Sequence, residues 1–328
     1  MEKKLTEGRI EIIDYLKGVS IFLILLNHVI YNLNEIYAPF WIFQAVPLFL
    51  LIQVFHTKRA FDSGKTSFKK WYSKKSITKI LKRIFLPFVV VQVIWTIIFL
   101  AQGQMPWGVI EGGHGPGSYY VWIYIQFWFI IPFFIFLKDK YGDKVCFIVG
   151  LLLSVLEEII CSVFFDYLPM HVLLYRVFAG RYLFLIPLGL FFFDFPVKMN
   201  WKRLVLSLIS IFFIYIERYS DFDLSPLFYK SQWPGFHWLA YFYTAFLFVY
   251  ILQWLYNVIH DRIARVFIVF GKSSYEIYIV QMLVLGLLWH WKSDVFVLNI
   301  IIGIAKLALS IVPALIYYKI KNLRCTNK

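Results

Sequence analysis

The sequence predicts an all-α protein that crosses a membrane about ten times, and three observations predict it. Of 328 residues, 61% are hydrophobic and 16% charged, with a mean hydropathy of +0.70, which is more apolar than a soluble domain of this size requires. The apolar residues fall into ten runs of about 15–24 residues, the length that crosses a hydrocarbon core about 30 Å thick. All but six of the 33 Lys and Arg lie near the two ends or in alternate connections, the distribution expected of cytoplasmic segments. The net charge of +14 therefore reads as membrane topology, and nucleic acid is not expected as a partner. Both ends are expected in the cytoplasm. The chain reads as a single transmembrane domain over 1–328, because no polar stretch is long enough for a soluble domain. The first apolar run lacks a small-residue cleavage site and reads as a retained span.

The expected spans are 17–36, 40–55, 84–102, 119–137, 145–165, 172–193, 203–217, 236–256, 273–291 and 295–318. The first starts among charges and turns apolar. The second is short. Loop 56–83 mixes many Lys with Phe68, Trp71, Tyr72, Ile77, Ile80 and Leu81, the composition of a segment lying on anionic headgroups or cradling a phosphorylated substrate. The third span opens at Pro87. The connection after it, GQMPWGVIEGGHGPGSYYVW, carries His114 among glycines and reads as a flexible loop; a lone His is not a metal site. Pro132 lies in the fourth span, Glu157 and Glu158 in the fifth, and Arg176, Arg181 and Pro187 in the sixth. The seventh is short. The tenth holds Lys306 and Pro313. The prolines do not occupy matching positions in two halves, which argues against a repeat-built transporter. Cys146, Cys161 and Cys325 have no motif spacing and read as structural thiols, neither a disulfide framework nor a zinc site. Phe, Tyr and Trp number 35, 22 and 12, many of them expected at the interfaces. Trp107, Trp122, Trp233 and Trp238 sit on the expected outer side, where they could stack on sugar rings.

Ionisable groups inside spans point to function, because a charge near the bilayer centre costs roughly 2.5–3.5 kcal/mol. In DYLKGVSIFLILLNHV, Lys17 and His28 are eleven residues apart, so they share one helix face about 16 Å apart. Lys17 is expected at the cytoplasmic edge and His28 near mid-membrane. A histidine there either packs against a neighbouring helix through a hydrogen bond or serves chemistry. Glu157 or Glu158 paired with Arg176 or Arg181 would offset the desolvation of both. A role in acceptor binding or in orienting His28 is the other reading. Lys306 is expected to partner a carboxylate or line a cavity.

The stretch from Asp14 to His28 resembles the opening signature of the acyltransferase-3 family of integral membrane O-acyltransferases: Asp, a short apolar pair, Arg, Gly, then an apolar helix reaching a His eleven residues after the Arg. Those positions are Asp14, Lys17, Gly18 and His28 here. Lys17 keeps the charge of the Arg but lacks its planar fork. KILKRIFLPF, with Lys79, Lys82 and Arg83, resembles the family's basic stretch before a Pro-containing helix start. QFWFIIPFF, with Gln126 and Trp128, resembles its fourth span, and GRYLFLIPLGLFF its aromatic, Gly-containing span. FGKSSYEIYIVQ, with Tyr278, resembles a late signature whose final His is Gln281 here. The resemblance covers most of the chain in the family's order.

The resemblance implies transfer of an acyl group, usually acetyl, from cytosolic acyl-CoA to a hydroxyl of an extracytoplasmic glycan or lipid-linked sugar. No permanently bound cofactor and no metal are implied; acyl-CoA, with acetyl-CoA the expected donor, is a substrate. Its phosphates would dock where Asp14, Lys17, Lys79, Lys82 and Arg83 gather. His28 would take the proton of the attacking hydroxyl, a covalent acyl-histidine relay being the variant. Gln126, Trp128, Tyr278 or Gln281 would supply oxyanion donors. Membrane lipids, the glycan acceptor and a separate extracytoplasmic transferase or glycan-synthesis protein are the expected partners, in a bacterial cytoplasmic membrane. The alternative is a polysaccharide or small-solute transporter or flippase of the same fold, which would tolerate loss of His28. A membrane anchor or sensor without chemistry is a third reading, against which the intramembrane charges argue.

Overall fold

The computed structural model describes residues 11–30, 33, 35–109, 112–163, 175–222, 224, 228, 237–293 and 295–326. Lys3, Lys4, Arg9, Lys230 and Trp233 lie outside the described residues. The helices are α1 (Glu11–Val29), α2 (Ala45–Asp62), α3 (Lys74–Ala101), α4 (Tyr119–Tyr141), α5 (Asp143–Val163), α6 (Leu185–Phe191), α7 (Trp201–Tyr219), α8 (Trp238–Val258), α9 (Asp261–Lys272), α10 (Ser274–Leu287) and α11 (Phe296–Thr326). No strand occurs among the described residues. Seven helices are long and apolar enough to cross a membrane, α2 together with the turn that precedes it from Ala38; α9 and α10 make an eighth span if the pair, bent by 75°, is taken as one.

The remaining expected spans take other forms, each for a physical reason. Segment 172–193 is no continuous helix, because the chain turns at Gly180–Tyr182 and resumes as the seven-residue α6. A break inside a bilayer exposes backbone groups that water cannot reach. Two side chains take them up. Ser154 of α5 donates its hydroxyl to the Gly180 carbonyl at 3.0 Å and accepts from the Phe184 N–H at 2.9 Å. Gln126 of α4 donates to the Val177 carbonyl at 2.7 Å and accepts from the Ala179 N–H at 3.1 Å. The expected seventh span is α7, nineteen residues long but carrying Lys202, Arg203, Glu217 and Arg218, too charged to be counted on composition alone.

Helix α1 is a wall shared by two apolar cores. Ile13, Tyr15, Leu16, Val19 and Leu23 enter a large core with α2, α4, α6 and α8. Ile21, Leu25 and Val29 enter a smaller one with α3, α10 and α11. Its broadest packing is against α9, and two glycines make that possible. A Cβ on Gly18 would stand 1.7 Å from the Phe267 carbonyl oxygen, and one on Gly271 would stand 1.7 Å from that of Asp14. The two backbones therefore touch directly, as small residues allow between membrane helices.

Proline also shapes the basic loop. Pro132 in α4 has no N–H, which frees the carbonyl of Trp128 one turn back. The indole of Trp71 donates to that carbonyl at 3.0 Å and stacks on the Trp128 ring at 5.1 Å. Tyr72 donates to the next carbonyl, Phe129, at 2.6 Å. The Lys-rich segment is thus docked on a kink, and partial burial there pushes the Tyr72 phenol pKa up.

The Gly-rich connection is not the loose loop its composition suggests. Gly112, Gly113, Gly115 and Gly117 all have positive φ, backbone that glycine adopts freely, and the chain folds inward to reach α10. Tyr278 donates to the Gly117 carbonyl at 2.7 Å. Gln92 of α3 clamps His114, accepting from its N–H at 2.6 Å and donating to its carbonyl at 3.1 Å.

Replacing Gly18 or Gly271 by Ala forces α1 and α9 apart. We expect each to cost about 1–3 kcal/mol, the usual cost of overpacking, read as a fall in the thermal midpoint of the detergent-solubilised protein. Gly303→Ala, where the new Cβ meets only the Val29 side chain at 2.9 Å, is expected to cost less.

Candidate active site

Three contacts bring the starts of α1, α3 and α10 and the end of α11 to one end of the bundle. They are Asp14 against Gly271, the Tyr275 hydroxyl on the Ile84 carbonyl, and Lys321 on Glu276 at 2.8 Å. Lys17 sits there and pairs with the buried Asp14 at 3.5 Å. Lys79, Lys82 and Arg83 are exposed at the same end. Lys82 and Arg83 fall within Leu81–Phe85, a π-helical turn inside α3. Such a turn leaves a carbonyl unpaired, and Tyr275 meets the one at Ile84.

Behind this basic mouth four tyrosines form a row. Tyr275 and Tyr278 lie 6.1 Å apart, Tyr278 and Tyr120 5.8 Å, and Tyr120 and Tyr124 6.1 Å. Gln53 donates to the Tyr124 carbonyl at 2.9 Å, which leaves its own Oε1 buried without a hydrogen bond.

His28 lies half-buried near the end of α1. It makes no hydrogen bond, ion pair or ring contact among the described residues. Beside it in sequence, Asn27 Oδ1 is buried and unpaired. On α10, Gln281 is fully buried and neither its amide nitrogen nor its oxygen has a hydrogen-bond partner. The nitrogen would lie 3.7 Å from a Cβ on Gly117, so the amide faces the inserted loop. A buried amide atom left unpaired costs about 1–3 kcal/mol, and among the described residues Asn27 and Gln53 each carry an unpaired oxygen and Gln281 an unpaired nitrogen and oxygen, on three different helices.

Two of the other expected donors are committed elsewhere: the Gln126 amide holds the broken backbone at 177–179 and the Tyr278 hydroxyl holds Gly117, while the Trp128 ring stacks on Trp71. Of the four, Gln281 alone has a side-chain amide without a partner.

A second polar centre lies between α5, α7 and the start of α8. His237 has a carboxylate on each ring nitrogen, Glu158 on Nδ1 at 2.7 Å and Glu217 on Nε2 at 2.8 Å. With an acceptor on each side, both nitrogens serve as donors. The Tyr175 hydroxyl adds a bond to Glu158 at 3.2 Å. The fully buried Arg181 lies over the Tyr175 and Tyr182 rings, each 4.6 Å from its guanidinium carbon, a cation–π arrangement. Arg176 donates to Ser118 at 3.3 Å, and Ser118 to the Gly113 carbonyl at 2.7 Å, tying this region to the inserted loop.

Glu157 feels the charge of Arg181, but neither of its buried oxygens has a hydrogen-bond partner. A Cβ on Gly180 would stand 1.8 Å from Glu157 Oε2, so only glycine leaves room for the carboxylate. Lys306 is buried in α11.

His237 and Glu217 are not legible in the sequence. Their partners lie 79 and 20 residues apart in the chain, and no short motif encodes such a contact. Asn27 and Gln53 were equally silent, each a single amide in an apolar run.

Comparison with protein families finds a model described as an acyltransferase domain that matches residues 10–319. Comparison with curated proteins and with solved structures gives no significant match.

His237→Ala leaves Glu158 and Glu217 buried without their counter-charge. We expect a loss of about 3–5 kcal/mol, seen as a lower thermal midpoint. Neutralising all three, as Glu158→Gln, His237→Asn and Glu217→Gln together, is expected to recover most of it.

Proposed function

Because the chain belongs to the acyltransferase-3 family, we propose that it is a membrane O-acyltransferase that moves an acyl group, acetyl in the simplest case, from acyl-CoA to a hydroxyl of an extracytoplasmic glycan or lipid-linked sugar. The observation that carries this reading is His28, an imidazole inside a membrane-spanning helix with both ring nitrogens uncommitted among the described residues. A packing histidine in hydrocarbon takes a partner. One left open is ready for a proton from a substrate.

The donor's phosphates meet Lys17, Lys79, Lys82 and Arg83, all at the end of the bundle where α1, α3 and α10 begin. The row of tyrosines leads inward from there. The acceptor hydroxyl oxygen attacks the thioester carbon while His28 takes its proton, since a neutral hydroxyl is a weak nucleophile. Negative charge moves to the carbonyl oxygen, where the Gln281 N–H group donates. The tetrahedral centre then collapses. The C–S bond breaks, and the departing CoA sulfur recovers the proton from His28. An O-acyl ester and free CoA result. On the acceptor side, the unpaired carboxylate of Glu157 beside Arg181 suits hydroxyl donors.

The test is the ester-linked acyl content of surface glycans in wild type, in a deletion, and in the deletion complemented with His28→Ala at matched protein level. We expect loss in the deletion and no rescue, with acyl transfer by the purified variant down about 10²–10⁴-fold. Gln281→Ala is expected to lower the rate about 10²–10³-fold. Unchanged acylation in the deletion, with altered glycan export or solute uptake, would replace this reading with a transporter.

A further inference from the structure

We propose that the groove between α9 and the end of α11 binds an anionic phospholipid, one acyl chain along its apolar floor and the phosphate on Lys319. The groove holds about 420 Å³ and is lined by Val269, Leu315, Tyr318, Lys319, Asn322 and Leu323, a volume within the range of ligand sites. Its walls are apolar apart from Asn322 and the ammonium of Lys319. Lys319 is exposed and makes no hydrogen bond or ion pair among the described residues. Two residues on, Lys321 is tied to Glu276. One cation at this rim is therefore held in place by protein and the other is open to a ligand.

The setting selects a lipid. Of the membrane-crossing helices, α11 is the least enclosed by protein, so lipid is its ordinary neighbour. Helix α9 turns 75° from α10 and so runs across the bundle. Its exposed apolar residues Ile263, Val266 and Val269 recur every third position, with Arg262, Arg265 and Lys272 exposed beside them. A basic amphipathic helix of this kind lies in the plane of the interface and attracts anionic headgroups. A zwitterionic headgroup would bring its own cation to Lys319, whereas an anionic one brings only the phosphate charge. The other face of α9 is the surface on which α1 rests through Gly271 and Phe267. A chain in the groove thus backs the helix that seats Lys17 and His28. The inference stands on the groove and does not depend on the acyltransferase reading.

The experiment uses the full chain in nanodiscs of phosphatidylcholine containing a trace of photoactivatable lipid, with either a phosphatidylglycerol or a phosphatidylcholine headgroup and the diazirine in the acyl chain. Labelled peptides are mapped by mass spectrometry. We expect the groove residues to take about fivefold more label from the anionic probe, the factor that one lysine near an anionic surface supplies. Lys319→Glu should bring the two probes to parity, and Leu315→Trp should lower groove labelling by both while the rest of α11 is unaffected. Equal labelling of the wild type by the two probes would overturn the headgroup assignment. Label spread evenly along α11, with no excess at the groove residues, would overturn the site.

Discussion

The backbone contact between α1 and α9 is the constraint on which the rest of the molecule depends. Gly18 and Gly271 each stand where a single added carbon would meet the other helix's carbonyl region. That contact fixes the height of α1 against α9, and the bend after α9 then sends α10 up alongside α1. Ile21, Leu25 and Val29 consequently meet Ile277, Tyr278, Met282 and Leu285 in one apolar core. The same seating places Lys17 at the basic end, and the eleven-residue interval carries half-buried His28 to the far end of α1. Two stretches some 250 residues apart in sequence become one structural unit through the two smallest residues in them.

A bilayer forbids unpaired backbone, and the protein departs from regular helix only where a side chain answers the departure. Ser154 and Gln126 bridge the break between Val177 and Phe184. Trp71 answers the carbonyl that Pro132 frees, and Tyr275 answers the one in the π turn of α3. Each repair also joins elements distant in sequence, so irregularity and tertiary structure come from the same bonds. Against this background, the amides of Gln281, Gln53 and Asn27, with atoms that no group answers, stand apart. They share that state with the Glu157 carboxylate and the indole nitrogens of Trp95 and Trp238, so among the described residues it is side-chain polar atoms, not the broken backbone, that stay open in the interior.

Much of this was legible in the sequence, and what was not has a common cause. Helix identity follows from long apolar runs, so α1 to α5, α8 and α11 overlap expected spans, although α1 stops at Val29, seven residues before the expected end, and α3 begins at Lys74, ten residues before the expected start. The Asp14–His28 spacing also survives intact, because a helix converts sequence interval directly into height. What failed to show was anything depending on distant partners. The break at Gly180 is invisible in an apolar run, since the groups that permit it, Ser154 and Gln126, lie elsewhere. The glycines at 112–117 read as looseness; positive φ instead let that segment pack against Tyr278 and Gln92. Glu158 was expected beside an arginine, and its imidazole partner lay beyond any local spacing.

The two interior histidines show why residue type alone does not reveal a role. His237 sits between two carboxylates, with a tyrosine completing the cluster, so each ring nitrogen has a fixed use. Moving a proton from it would leave a buried carboxylate facing a lone pair, and the cluster therefore resists titration and joins three helices. His28 has the opposite surroundings: an apolar helix and, among the described residues, an open ring and no counter-charge bound to it. Its neutral form is the inexpensive one in hydrocarbon, and the neutral form is the one able to accept a proton. In the proposed reaction, a charge appearing on it would meet no protein anion among the described residues and would pass readily to a leaving group. The fold thus commits one imidazole to holding helices together and leaves the other ring open among the described residues, which is what its proposed role as a base rests on, and the difference between them lies in what the neighbouring helices supply.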